Sequence, residues 1–287
     1  MSYLRRASPL HAARASVGAA YCAALVLAAA LTNEPLILGA LGLAVTLAGV
    51  AAGVARRVLR SLVFSIPMAL LVALVNALIS RNGLTVLARF GDWGPFGQVD
   101  PTLEALCYGA VLGLELVVII GVCALGSAAV DPDELLRAMR RISFRSALTA
   151  TLATRMVPLL ATDAQRIGEA QRSRVDGASR VQIVRAITTN ALDRALDIAA
   201  TLEVRGYASA TRRPPRQRRA PSRHDLAFAS AAAAIASLAV VAGLAHLAPF
   251  RFYPTISAPL GWREIALAAG FAALALAPFL QRRGIER

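Results

Sequence analysis

Two arginine-bearing segments carry the clearest chemical signal in the sequence: Glu169-Ala170-Gln171-Arg172-Ser173-Arg174-Val175-Asp176-Gly177 and Leu202-Glu203-Val204-Arg205-Gly206-Tyr207. Arg174 and Arg205 lie about thirty residues apart, each near the C-terminal end of a predicted helix. Each is followed by a glycine, Gly177 or Gly206, that can take a left-handed turn. One arginine at a helix C-terminus is ordinary, because it complements the negative end of the dipole. Two in the same frame, after long half-polar helices, point instead to a contact in the aqueous phase. A guanidinium is a rigid five-donor fork suited to carboxylates and carbonyls in a groove. Two forks on two helices fit two copies of one partner.

The other reactive residue types give weaker signals. Cys22, Cys107 and Cys123 all fall in apolar runs and read as small hydrophobes, with no CxxC pair among them. His11, His224 and His246 are far apart, so no metal site is expected from these residues. Asp131-Pro132-Asp133-Glu134 reads as a helix start: a cap, a proline at the first helical position and a capping-box acid. Glu115 is the one acid well inside an apolar run. A carboxyl there faces other helices or touches a membrane partner. A lone acid does not make a protease or transferase, and no GxxxxGK[ST] phosphate loop occurs.

The elements that position these residues are set by composition. The 287 residues are 57% hydrophobic and 17% charged, with a net charge of +14. All 31 basic residues are arginines, which a GC-rich coding bias explains. Apolar runs at 16–31, 35–54, 61–80, 104–128, 225–248 and 263–280 predict about six membrane spans. A cleavable signal ending near Ala28 to Ala30 is the competing reading of the first run, but a second run starts at Pro35. Arginines cluster at the N-terminus, in the 55–60 loop (Arg56, Arg57, Arg60), in the 129–224 segment (18 arginines against nine acids) and in the tail. The positive-inside rule then places both termini and the long segment in the cytoplasm of a multi-pass plasma-membrane protein. This topology accounts for the basicity, and no zinc-finger spacing or aromatic-interleaved basic stretch suggests nucleic acid. Phe90, Trp93 and Phe96 read as an interfacial anchor in the 81–103 loop.

The 129–224 segment divides further. A short amphipathic helix follows Asp131, with Leu135, Met139 and Ile142 on one face. A second helix starts near Ala147, with Leu148, Leu152, Met156, Leu159, Leu160 and Ile167 at helical spacing and Pro158 inside it. A third runs from Val181 to Arg205 on a stripe rich in small residues. The second is expected to be half-buried against its neighbour. The run Arg212 to Arg219, with Pro214 and Pro215, reads as a tether to anionic membrane lipids. The organisation expected is therefore all-α: membrane helices over 1–128, a cytoplasmic helical region over 129–224 and membrane helices over 225–287.

In order and spacing, four stretches resemble the transmembrane T component of energy-coupling factor (ECF) transporters, the EcfT/CbiQ family. They are Asp131-Pro132-Asp133-Glu134-Leu135-Leu136, Arg155-Met156-Val157-Pro158-Leu159-Leu160, Glu169-Ala170-Gln171-Arg172-Ser173-Arg174 and Glu203-Val204-Arg205-Gly206-Tyr207, together about 80 residues. The family's two arginine-centred signatures fall on Ser173-Arg174-Val175 and Val204-Arg205-Gly206. The first departs from the pattern, because Val175 stands where a small residue is usual; Arg172 can share or replace the role of Arg174. The resemblance implies a polytopic helix bundle whose long cytoplasmic helices act as coupling helices. It implies two cytosolic ATP-binding-cassette ATPase subunits that seat Arg174 and Arg205, and a small substrate-binding membrane S component. It also implies that this chain is no enzyme and binds no cofactor directly, ATP being hydrolysed by the partners. The cargo would be a vitamin or a transition metal. A proton-coupled secondary transporter and a conventional ABC permease are the alternatives. Paired arginine ends in one chain favour the ECF arrangement over both.

Overall fold

The terminal and cap residues decide where each helix begins. A computed structural model describes residues 6–80, 85, 102–139, 144–172, 180–206, 222–245 and 261–281. Ser8 caps α1 (Pro9–Ala12), and α2 spans Ala15–Leu31. Pro35 opens α3 (Pro35–Ala51), followed by α4 (Ala55–Ile79). Thr102 Oγ1 accepts from Ala105 N at the start of α5 (Leu103–Ala129). Asp131 accepts from Asp133 N at 2.9 Å where α6 (Pro132–Met139) starts, so the cap read from the sequence is present. Then come α7 (Phe144–Arg172) and α8 (Arg180–Val204). Ser222 and Asp225 form a reciprocal capping box on α9 (Arg223–Leu244). Glu264 reaches back to Gly261 N on α10 (Trp262–Leu276), which continues into a 3-10 turn, Ala277–Leu280. The protein is all-α, with no strand among the described residues.

Six apolar helices occupy the positions of the six expected spans. Four are long and apolar enough to cross a membrane: α4, α5, α9, and α10 with its 3-10 turn. The other two, α2 and α3, have 17 residues each, about 25 Å of helix, which is the lower end of a spanning length. They supply much of the core. Tyr21, Leu25, Ile37, Leu38, Leu41 and Val45 are fully buried. By contrast α4 is apolar on nearly every side, and Phe64 is 76% exposed. A helix uniformly apolar and outward-facing is solvated by lipid tails. The 55–60 stretch is not a loop, as its arginines suggested; α4 begins at Ala55, so Arg56, Arg57 and Arg60 lie in its first two turns. Arginine is a good helix former, and hydropathy alone sees only where its charge interrupts the apolar run.

Two compact units result: residues 1–135 with 221–287, and residues 136–220. In the first, α4 packs mainly on α5, α2 on α9, and α3 on α10. The α4–α5 crossing is close because Gly113 lies against the Ala69 backbone; a Cβ there would come within 2.8 Å of the Ala69 oxygen. Tyr21 donates to Ala275 O at 2.6 Å, and its ring meets Phe228 and Phe279 edge-on. Arg14 pairs with Asp225 at 3.2 Å and also donates its backbone N–H to that carboxylate, fixing the start of α2 to the start of α9.

In the second unit α7 packs on α8. Half-buried residues recur along α8 at Ile183, Ile187, Ala191, Arg194, Ile198 and Leu202, and along α7 at Leu152, Met156, Leu160, Asp163 and Ile167. The expected half-burial of α7 is thus observed, on one face. Val157, Val184, Leu192 and Leu196 lie off that face and are exposed.

Candidate functional site

The C-terminal end of α8 is the arginine-bearing end that the structure describes. Arg205 N still donates to Thr201 O at 3.1 Å, as in a helix. Gly206 N instead donates to Glu203 O at 2.8 Å, and Gly206 adopts φ +71°. This is the left-handed stop the sequence anticipates, and only glycine takes it without strain. The stop leaves the preceding residues projecting. Val204 is 89% exposed, and Arg205 is exposed too. An exposed valine beside an exposed guanidinium makes a small apolar and cationic tip, able to bury methyls while its fork donates to carboxylates or carbonyls.

The other end is described only in part. Arg172 is the last residue of α7. Ser173, Arg174 and Val175, with Gly177, lie outside the described residues, as do Tyr207, the Arg212–Arg219 run and the Phe90, Trp93 and Phe96 loop. The two helices that carry the ends meet at Asp163. Its Oδ2 accepts from Arg194 at 3.0 Å and from Asn190 at 3.4 Å. Asp163 did not stand out in the sequence. The signal was there, since Asn190 and Arg194 are four residues apart and share a helix face.

The remaining candidates lie on other helices. Glu115 is half-buried on α5, with no side-chain hydrogen bond among the described residues. Cys22 is buried and Cys123 exposed on different helices. No group of three or more His, Cys, Asp or Glu residues that could hold a metal occurs among the described residues.

Apolar helices of spanning length, joined in one chain to an amphipathic helical pair with a cationic tip, define a polytopic helical membrane protein. Residues 6–215, well over half of the chain, match the CbiQ family, described as cobalt transport protein. The chain belongs to that family, and is a membrane transport component. The matched stretch includes both arginine-bearing segments. No curated protein matches the sequence.

Proposed function

We propose that this chain is the coupling subunit of an ABC-type ECF importer. It transmits ATP-driven motion from two cytosolic ATPase subunits to a small membrane subunit that captures a vitamin or transition-metal ion. Arg174 and Arg205 each seat in a groove of one ATPase, flanked by Ser173 and Val175 and by Val204 and Gly206; Arg172 backs up Arg174. Closure of the nucleotide-loaded pair pushes α7 and α8 as levers. The arginine-rich side is cytoplasmic, and the chain itself hydrolyses nothing and holds no cofactor. The observation that carries this reading is the tip of α8, where Arg205 projects from a glycine-terminated helix within the stretch matched to the family.

The test is affinity capture of the full chain from its native membranes, with partners identified by mass spectrometry. Two ATP-binding-cassette subunits per chain are expected. Arg174→Glu and Arg205→Glu should each weaken that association by about 2 kcal/mol or more, the scale of an arginine anchor at an interface. Both variants should elute as monodisperse protein. ATPase retention by both, or uptake without any nucleotide-hydrolysing partner, overturns the assignment.

A further inference from the structure

Glu115 stands at the middle of α5, which runs from Leu103 to Ala129. At 1.5 Å per residue it lies about 18 Å from one end of the helix and about 21 Å from the other. That is near mid-depth in a helix long enough to cross the ~30 Å hydrocarbon core. Its side chain is half-buried and makes no hydrogen bond or ion pair among the described residues. An acid at this depth needs a partner in either form: protonated, its O–H needs an acceptor; ionised, its oxygens need donors.

Acyl chains supply neither. A glutamate is also too short to reach the headgroups from mid-depth, as a long lysine or arginine does near a helix end. The neighbouring spans have their hydroxyl protons committed elsewhere. Thr32 donates to Ala28 O, Thr46 to Leu43 O and Ser65 to Leu62 O, each at 2.7 Å within its own stretch of chain.

The face around Glu115 has the shape of a helix-pairing seam. Leu112, Glu115, Ile119 and Cys123 recur at i, i+3, i+7 and i+11 along α5. The first three are half-buried and Cys123 is exposed. Ile119 marks the inner edge of the stripe, packing in part against the core. α4 uses a different face, where Gly109 and Gly113 meet the backbones of Ala73 and Ala69. A second copy of this chain is a poor occupant, because a two-fold contact sets acid against acid at the same depth.

We propose that this stripe of α5 is the docking seam for one transmembrane helix of a separate subunit, whose side-chain hydrogen-bond donor engages the Glu115 carboxyl near mid-depth. Only the name of the partner rests on the reading of the chain as a coupling subunit: there it is the small substrate-capturing membrane subunit.

The complex captured from native membranes with the full chain tests this. A p-benzoylphenylalanine placed at Leu112 should photo-crosslink to one membrane polypeptide identified by mass spectrometry. The same probe at Phe64 on α4, which is 76% exposed, should give little of that product. Glu115→Leu should lower retention of that polypeptide about tenfold, the scale of one interhelical hydrogen bond in a membrane. Glu115→Gln, which keeps a donor and an acceptor, should lower it less. Both variants should retain the ATPase subunits, which reports an intact chain. Dicyclohexylcarbodiimide, a lipid-soluble carboxyl reagent, should label Glu115 in the isolated chain and be excluded from it in the complex. Full retention by Glu115→Leu, a Leu112 crosslink to lipid alone or to a second copy, or equal labelling of chain and complex would each overturn the seam. Labelling of Glu115 in the complex by a water-soluble carbodiimide would show a hydrated carboxyl and overturn it too. A capture without ATPases but with the Leu112 crosslink intact would sink the coupling reading and uphold the seam.

Discussion

Asp163 on α7 and Arg194 on α8 form an ion pair at 3.0 Å, and Asn190, one turn before Arg194, donates to the same carboxylate oxygen at 3.4 Å. Asp163 is mostly shielded, whereas the arginine is about one-third exposed, at 35%. The pair lies within the half-buried stripes through which the two helices meet, among Leu160, Ile187 and Ala191. It therefore sets which faces of the two helices oppose each other, more than it adds to total stability.

Removing the carboxylate tests that role. Asp163→Ala should cost about 1 kcal/mol, discounted for the solvent that reaches Arg194. Hydrogen exchange should speed up along the facing stripes of α7 and α8 while α2 and α3 keep their protection. The reversed pair Asp163→Arg/Arg194→Asp should recover part of the loss. Unchanged exchange in Asp163→Ala would show that apolar contact alone holds the two helices.

Gly206 should resist substitution for a backbone reason. Its φ of +71° costs an L-residue about 1 kcal/mol. Gly206→Ala should fray the last turn of α8, raising amide exchange at Arg205 and Val204 with little change in global melting. Gly206→Asn should be milder, because asparagine tolerates the left-handed region. If ATPase capture falls in parallel with fraying, the direction in which Arg205 projects matters as well as its charge.

Apolar period and length made most of this architecture readable in the sequence. All six apolar runs became helices, and the cap at Asp131 and the stop at Gly206 were visible as local chemistry. What stayed hidden depends on partners distant in sequence. Tyr21 looked like one more apolar residue until its hydroxyl met Ala275 O, 254 residues away. Arg14 was counted only with the N-terminal arginines and Asp225 fell unnoticed at the edge of an apolar run, yet they clamp two helix starts together. Arg57 and Arg60 were assigned to a loop because a hydropathy run ends at the first charge, whereas the helix hydrogen bonds do not. The tip at Arg205 was legible because a helix end is a local event; the Asp163 cluster was not, because periodicity marks a face without naming what lies across it.

The close approach of α4 and α5 gives a packing prediction. A Cβ at Gly113 would meet the Ala69 backbone oxygen at 2.8 Å, and backbone cannot swing aside as a side chain does. Gly113→Ala should therefore destabilise the protein by about 1–3 kcal/mol, the usual cost of overpacking. Gly39→Ala serves as the control, since nothing lies within 4 Å of its added methyl. Thermal unfolding in detergent, read by loss of monodisperse protein, should separate the two. Similar melting of both variants would mean that α4 and α5 can part without cost.

Glu34 links pH to stability through its burial. It stands at the start of α3, is 4% exposed, makes no side-chain capping bond, and has a buried Oε2 without a partner. Loss of solvent raises its pKa above the ordinary glutamate value, and the nearby Glu264 carboxylate at the start of α10 raises it further. The folded chain thus keeps a proton that the unfolded chain releases from about pH 4.3 upward. Where the native state binds more protons, stability falls as pH rises, until the folded group too has ionised. Glu34→Gln, which is neutral at every pH, should melt higher than the wild type near neutrality, and the gap should shrink toward pH 4. Taking the difference between the two proteins cancels the titration of the other acids to first order. A gap that stays constant from pH 4 to 8, or a Gln variant that melts lower at neutral pH, would mean that the Glu34 carboxyl finds compensation as an anion.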